Sequence, residues 1–354
     1  MLQFSKQFKI GDRMVGEDQP TYFIAEIGAN FDNDIEKAKK LAYEAKQFGA
    51  DCAKIQSFKT ERIVSAAGFA SMQLKGVHGS WGRTVNEVFK DAEFPREWHK
   101  EFFEYCREIG ITPSSAPYDF EAVDLMDDLD VDFYKIGSGE ITWLEMIEYI
   151  AKKGKPVVLA TGAATLAEID DAVRVIEKTG NKDLALLQCI TNYPSKIESA
   201  NIRVIDGYRE QFGCVVGYSD HAPGDTVVLG AVARGAKVIE KHFTLNRNDV
   251  GPDHPHSMHP DEFAAMIQKT RDLEKALGSA RKEVVEEEAE TYIVQRRGLA
   301  VAKDLPAGHV LTLEDIDVLR PALGIYPKFK DAVVGKQLAH AFKAGEPIRW
   351  EDLA

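Results

Sequence analysis

Two histidines, two lysines and three serines stand within or just beyond short apolar runs of this 354-residue chain. His221 closes the run Cys214–Asp220, and His242 lies near the end of Val238–Thr244. If those runs are neighbouring strands, about 5 Å apart, both imidazoles reach one ion, with Glu26 opposite. Imidazole with carboxylate and water suits Mn²⁺, Zn²⁺ or Fe²⁺ better than Ca²⁺. No cysteine adjoins either histidine, which argues against a closed structural zinc site. Lys54 and Lys135 fall inside two further runs. A buried lysine is costly unless paired, so two of them call for an anion between them or for glutamate partners. Ser115, Ser138 and Ser219, with the backbone of Gly137 and Gly139, add neutral donors suited to a phosphate. The composite is one phosphate-bearing substrate beside one metal ion. His254, His256 and His259 look like a metal tract, but His259-Pro260-Asp261 reads better as the start of a helix. Asp253, in the same loop, suits sugar hydroxyls.

These side chains need a frame. Strands are expected at Tyr22–Gly28, Cys52–Phe58, Ile111–Pro117, Asp132–Ser138, Pro156–Gly162, Leu184–Ile190, Cys214–Asp220 and Val238–Thr244. Amphipathic stretches separate them; Asp34–Phe48, for example, puts Ile35, Ala38, Leu41, Ala42 and Ala45 on one face. Such alternation means parallel strands with crossover helices, and eight units match a (β/α)8 barrel. A doubly wound open sheet is the alternative, but no GxGxxG follows the first strand. In a barrel the reactive groups project from the carboxyl ends of the strands. Turn signals in Lys9–Pro20 predict a hairpin closing the bottom of the barrel. The insertion Phe58–Asp91 is expected at the catalytic face as a lid or binding loop.

The division expected is 1–280 for the barrel with its hairpin, 281–293 for a charged, solvated linker, and 294–354 for a small β-rich module. That module repeats itself weakly: Ala307-Gly308 and Glu314-Asp315 recur at one offset as Ala344-Gly345 and Glu351-Asp352. With 44 basic against 57 acidic side chains the net charge is −13, which disfavours nucleic acid and leaves a small anion to a local basic pocket. Cys52, Cys106, Cys189 and Cys214 form no CxxC pair and read as buried free thiols. No apolar run is long enough to span a membrane and the first residues carry no signal-like core, so a cytoplasmic protein is expected.

Several motifs follow one another in a familiar order. They are Ala25-Glu26-Ile27-Gly28, Lys54-Ile55-Gln56, Tyr134-Lys135-Ile136-Gly137-Ser138-Gly139-Glu140, Ala160-Thr161-Gly162, Tyr193-Pro194, Gly217-Tyr218-Ser219-Asp220-His221, Glu240-Lys241-His242-Phe243 and Gly251-Pro252-Asp253. In this the chain resembles the sialic acid synthase family over nearly its whole length, and Val294–Ala354 resembles the antifreeze-like SAF domain that ends those enzymes. The resemblance implies condensation of phosphoenolpyruvate with an open-chain N-acetylated hexose such as N-acetylmannosamine, with phosphate released by C–O cleavage. It implies Mn²⁺, or Mg²⁺ or Co²⁺, on His221 and His242, polarising the sugar aldehyde. Glu26 would handle the water proton, and Lys54, Ser115, Lys135, Ser138 and Ser219 would hold phosphoenolpyruvate. Gln56, Glu140, Tyr193 and Asp253 would position the sugar or the reacting ends. A homodimer is implied, with Arg320 reaching the partner's sugar site.

The chain departs from the family pattern at Asn30-Phe31-Asp32-Asn33 and at Ser115-Ala116-Pro117-Tyr118, where one hydroxyl is lost from the phosphate site. N-Acetylneuraminate, legionaminate and pseudaminate synthases all stay open. Two other readings are a phosphoenolpyruvate condensation that makes a shorter keto sugar acid, and a non-catalytic binding protein on the same barrel.

Overall fold

The computed structural model describes residues 4–72, 79 and 81–354. The chain divides into two compact units, Met1–Gly278 and Ser279–Ala354.

The first unit begins with an antiparallel hairpin, β1 (Gln7–Ile10) and β2 (Arg13–Gly16), turned by Gly11 at φ 57°. Eight parallel strands follow: β3 (Tyr22–Glu26), β4 (Cys52–Ser57), β5 (Thr112–Pro117), β6 (Tyr134–Ile136), β7 (Val157–Ala160), β8 (Leu184–Cys189), β9 (Val215–Asp220) and β10 (Val238–His242). Their order is β5-β4-β3-β10-β9-β8-β7-β6, and β5 and β6 pack alongside each other to complete the ring. The expected (β/α)8 barrel is therefore present, each strand a residue or more shorter than its apolar run.

Helices form where the 3.6-residue period and the caps agree. Ile35–Gln47 starts at Asp34, whose carboxylate accepts from the N–H groups of Glu36 and Lys37, and it buries Ala38, Leu41, Ala42 and Ala45. Leu166–Lys178 starts with a reciprocal Thr165–Glu168 capping box.

The period of two sorts the strand residues cleanly. Phe23, Ala25, Ala53, Ile55, Tyr134, Ile136, Val157, Leu159 and Ile239 face outward into the helix layer. Tyr22, Ile24, Cys52, Phe133, Val158, Ala185, Leu187, Val215 and Val238 face inward and form a separate core with Phe8, Ile10 and Val15 of the hairpin. The hairpin thus plugs the amino-terminal end of the barrel, as its sequence predicts. All four cysteines are buried and unpaired.

The insertion after β4 contributes short helices Thr60–Ile63, Ala66–Ala70 and Val85–Ala92. The part of it at 73–78 and 80 lies outside the described residues.

In the second unit β11 (Gly298–Val301) pairs antiparallel with β12 (Ile316–Leu319). The weak repeat becomes structural here. Gly308 and Gly345 turn at φ 81° and 87°, and the turns Leu313–Asp315 and Trp350–Asp352 each end on a buried aspartate. The two halves meet at the bridges Leu305–Phe342 and Val310–Gln337. Among the described residues no helix is long and apolar enough to cross a membrane.

Candidate active site

The inward set that begins as an apolar plug turns polar toward the carboxyl ends of the strands. Going up β4, Cys52 is followed on the same face by Lys54 and Gln56; on β10, Val238 is followed by Glu240 and His242. These side chains open into a cavity of about 400 Å³ at the carboxyl end of the barrel, the size of a small-substrate site.

Its floor is ionic. Lys54 and Lys135 are both buried, and Glu240 lies between them. Glu240 Oε1 is 3.2 Å from Lys135 Nζ, and Oε2 is 3.7 Å from Lys54 Nζ. Ser219 Oγ donates to Glu240 Oε1 at 3.0 Å. Glu26 pairs with Lys54 and accepts from Gln56 Nε2 at 2.7 Å. Burial raises the Glu26 carboxyl well above the ordinary range, and Lys54 only partly opposes this. Burial would also raise Glu240, but Lys135 and Lys54 outweigh it and hold that carboxylate low. Two lysines thus face one firmly ionised carboxylate, Glu240, and one, Glu26, whose proton affinity burial raises. Of the two alternatives set out from sequence, the structure provides both lysines with glutamate partners, and sequence reasoning did not single out Glu240. The signal was its spacing, two residues before His242 on the same face.

One wall is aromatic and imidazole-rich. His221 Nδ1 donates to the Ile190 carbonyl at 2.8 Å, which fixes the tautomer and leaves Nε2 with its lone pair. The ring centroids of His221 and His242 are 5.4 Å apart, and those of His242 and His256 are 4.8 Å apart. The Tyr193 ring packs against His221 at 4.1 Å, tilted by 45°, and the Ser195 N–H donates to the His221 carbonyl at 2.9 Å. Asp253 completes a ligand set: its carboxylate and the ring nitrogens of His242 and His256 lie within 4.8 Å of one another. Nδ1 of His242 and Nε2 of His256 are buried with no hydrogen-bond partner. Burial, with the other imidazoles, lowers the His242 pKa well below its ordinary value, and burial, with smaller contributions from His256 and Lys135, takes His221 to about 4. Neutral, unpartnered imidazoles beside a carboxylate fit a divalent ion of the Mn²⁺ or Zn²⁺ type.

The loop after β10 presents this set because it is pinned elsewhere. His254 is buried between Thr244 Oγ1 at 2.7 Å and Asp32 Oδ1 at 2.8 Å, and Lys37 Nζ holds Asp249 at 2.7 Å. Asp253 Oδ2 accepts from the Ala29 N–H at 2.8 Å. Gly28 makes that approach: it turns at φ 52°, and a Cβ there would collide with the Asp253 carboxylate. Of the tract His254, His256 and His259, then, one histidine joins the site, one anchors the loop, and His259 precedes the helix Pro260–Leu277.

Glu26, Lys54, Gln56, Lys135, Ser138, Glu140, Tyr193, Ser219, His221, His242 and Asp253 all line the one cavity. Ser138 Oγ accepts from the Gly162 N–H at 2.9 Å. Glu140 reaches over Gly137 beside the Tyr118 hydroxyl, and burial pushes its carboxyl up to about 7. Ser115 is not brought to the cavity: it is in register with Ile55, on the outward face, while Ser114 is in register with Lys54. Arg320 is exposed in the second unit.

Residues 41–282 match the model of the NeuB family, and residues 296–354 match the SAF domain. The chain belongs to the NeuB family. Among curated NeuB-type relatives, the N,N′-diacetyllegionaminic acid synthase of Campylobacter jejuni is 37% identical, over 93% of this chain and 99% of that one. The N-acetylneuraminate-9-phosphate synthase of Mus musculus is 36% identical, over 86% and 85%. Of solved structures, the N-acetylneuraminic acid synthetase of Leptospira borgpetersenii superposes with a TM-score of 0.73 at 28% identity, over 82% of this chain and 96% of that one.

Proposed function

We propose that this NeuB-family chain condenses phosphoenolpyruvate with an open-chain N-acetylated hexose to give a nine-carbon 2-keto sugar acid and inorganic phosphate. The observation that carries the reading is the meeting, in one cavity, of Lys54 and Lys135 with the imidazole–carboxylate set of His242, Asp253 and His256.

Lys54 and Lys135 face the phosphate and carboxylate of phosphoenolpyruvate, with Ser138 and Ser219 as neutral donors. Glu240 holds the two ammonium groups at a fixed separation. His242, Asp253 and His256 would hold a divalent ion, with His221 beside them, and such an ion would supply Lewis acidity toward the acceptor's aldehyde. The balance is a new bond from C3 of phosphoenolpyruvate to the aldehyde carbon, with a proton taken up by the aldehyde oxygen. Water then adds to C2, the C2–O bond to phosphate breaks, and phosphate departs. Glu26, oriented by Gln56 and Lys54 and easily protonated, takes the proton of that water. Gln56, Glu140, Tyr193 and Asp253 position the sugar. A homodimer in which Arg320 completes the partner's site belongs to the same proposal.

Phosphoenolpyruvate labelled with ¹⁸O at the C2 bridging oxygen tests the chemistry. The label is expected in released phosphate, in a reaction that needs both the sugar and a divalent ion. Label retained in the keto acid, or no release with any N-acetylated hexose, would overturn the reading.

A further inference from the structure

The insertion after β4 joins the barrel by two stems, residues 58–60 and 93–94. The second is firmly anchored: Phe94 is buried, its ring centroid 4.9 Å from Phe31, 5.1 Å from His99 and 5.6 Å from Phe102. Beside it the buried Glu93 reaches across to the first stem. Its Oε1 accepts from the Thr60 N–H at 2.6 Å, and its Oε2 lies 3.6 Å from Lys59 Nζ. Lys90 Nζ donates to both carboxylate oxygens, at 3.2 and 3.1 Å. Burial would raise this carboxyl, but Thr60 and Lys90 outweigh it and hold it below its ordinary range. Thr60 is the first residue of the helix Thr60–Ile63, and Lys59 before it gives no side-chain cap. An N–H at that position has no partner within its own helix. A carboxylate 33 residues further on supplies one.

What the two stems carry is one wall of the cavity. Between them the chain contributes Ile63, Val64, Phe69, Val88 and Phe89 to the lining. The helices Thr60–Ile63 and Ala66–Ala70 both pack on Val85–Ala92, and Phe58 packs on Phe89 at 5.6 Å. Helices this short are not stable alone, so the wall depends on how its stems are held.

We propose that Glu93 is a positioning residue: by clasping the two stems it fixes this wall at the cavity, and so sets how tightly the acceptor binds without touching it. The inference rests on the condensation proposed above, in which phosphoenolpyruvate takes the floor at Lys54 and Lys135 and the acceptor lies above it, against the wall. Glu93 stands outside the cavity lining, so its loss reaches the acceptor only through the wall.

Glu93→Ala, assayed with saturating phosphoenolpyruvate and Mn²⁺, is expected to raise the KM of N-acetylmannosamine at least about tenfold, the scale of one lost charge-assisted hydrogen bond. The Kd of phosphoenolpyruvate, read by calorimetry without the sugar, should not change. Glu93→Gln keeps an oxygen for the Thr60 N–H and should restore most of the lost affinity. Thr60→Pro cuts the same bond from the other side. Proline is tolerated at the first helical position, and Lys59 before it is already extended, at φ −117° and ψ 128°. This variant should raise the same KM and spare phosphoenolpyruvate, so the inference does not hang on the folding of Glu93→Ala. Amide exchange over residues 60–63 should quicken in Glu93→Ala and not in Glu93→Gln. An unchanged sugar KM in Glu93→Ala or Thr60→Pro, or an equal loss for sugar and phosphoenolpyruvate, would overturn the inference and leave the condensation standing. An unmodified enzyme that condenses no N-acetylated hexose would overturn the condensation, and unaltered exchange in Glu93→Ala would then overturn the clasp as well.

Discussion

The ring of His256 stands 4.8 Å from the ring of His242, although one comes from a loop and the other from a barrel strand. With Asp253 they make a three-ligand set whose two inward ring nitrogens have no hydrogen-bond partner. His256→Ala should therefore weaken Mn²⁺ binding at least about tenfold, because a three-ligand set loses a member. Direct titration of Mn²⁺ by calorimetry or by its paramagnetic resonance reads this. Unchanged affinity would return the metal to His221 and His242 alone.

Lys135 lies 3.2 Å from Glu240 and faces the cavity. Replacing it by Met leaves Glu240 with Lys54 at 3.7 Å as its remaining cationic partner and removes half of the floor's positive charge. Phosphoenolpyruvate should bind at least about tenfold more weakly, since a charge-assisted contact contributes roughly 1.5–3 kcal/mol. Binding calorimetry without acceptor sugar isolates this effect from catalysis; retained affinity would remove Lys135 from the phosphate site.

Burial holds the Glu140 carboxyl near neutrality, with a pKa of about 7. Below that pH it donates a hydrogen bond; above it, it is an acceptor with a charge. The KM of the acceptor should accordingly change through pH 7 in the unmodified enzyme. Glu140→Gln, fixed in a neutral donor-and-acceptor form, should lose that inflection. An inflection surviving in the variant would assign it to another group.

Ser115 and Ser219 were both expected at the phosphate. Ser219 Oγ sits 3.0 Å from Glu240 in the cavity, whereas Ser115 shares the outward face of Ile55. Ser219→Ala should raise the KM of phosphoenolpyruvate severalfold and Ser115→Ala should leave it alone. Equal effects would mean that register is a poor guide to this floor.

His99 is fully buried; Nδ1 donates to the Pro95 carbonyl at 3.0 Å and Nε2 has no partner. Burial lowers its pKa from 6.5 to about 4. Its folded form therefore stays neutral while the unfolded chain takes up a proton. The stability it allows is complete above pH 6.5 and is lost as pH falls toward 4, by on the order of 3 kcal/mol in all. His99→Phe, beside Phe94, should flatten the unfolding free energy against pH in that window. Denaturant titrations at pH 7 and pH 5 measure the difference between the two slopes, and identical slopes would count against the neutral, buried histidine.

Much of the first unit was legible from sequence because parallel strands and their crossover helices are local devices. Alternation along Cys52, Lys54 and Gln56, or along Val238, Glu240 and His242, already says which side chains share a face. The period also separated Lys54, which faces in, from Lys241, which faces out and pairs with Asp220 at 2.5 Å. The hairpin Gln7–Gly16 was legible as turns and alternation, and its role as a plug follows from a barrel having an open end.

The sequence by itself determined the barrel, the polar strand ends and the two lysines. Only the tertiary structure decided what each polar group faces. Glu240 lies between Lys54 and Lys135 because a closed ring brings β10 opposite β6, a distance across space that no local period encodes. His256, rather than His254, enters the site because Asp32 and Thr244 hold the one and free the other. Ser115 is excluded by a register that shifts face with a single residue. Pairing across a barrel depends on closure and on loop anchoring, which are properties of the whole chain, whereas period and capping are properties of a few neighbours.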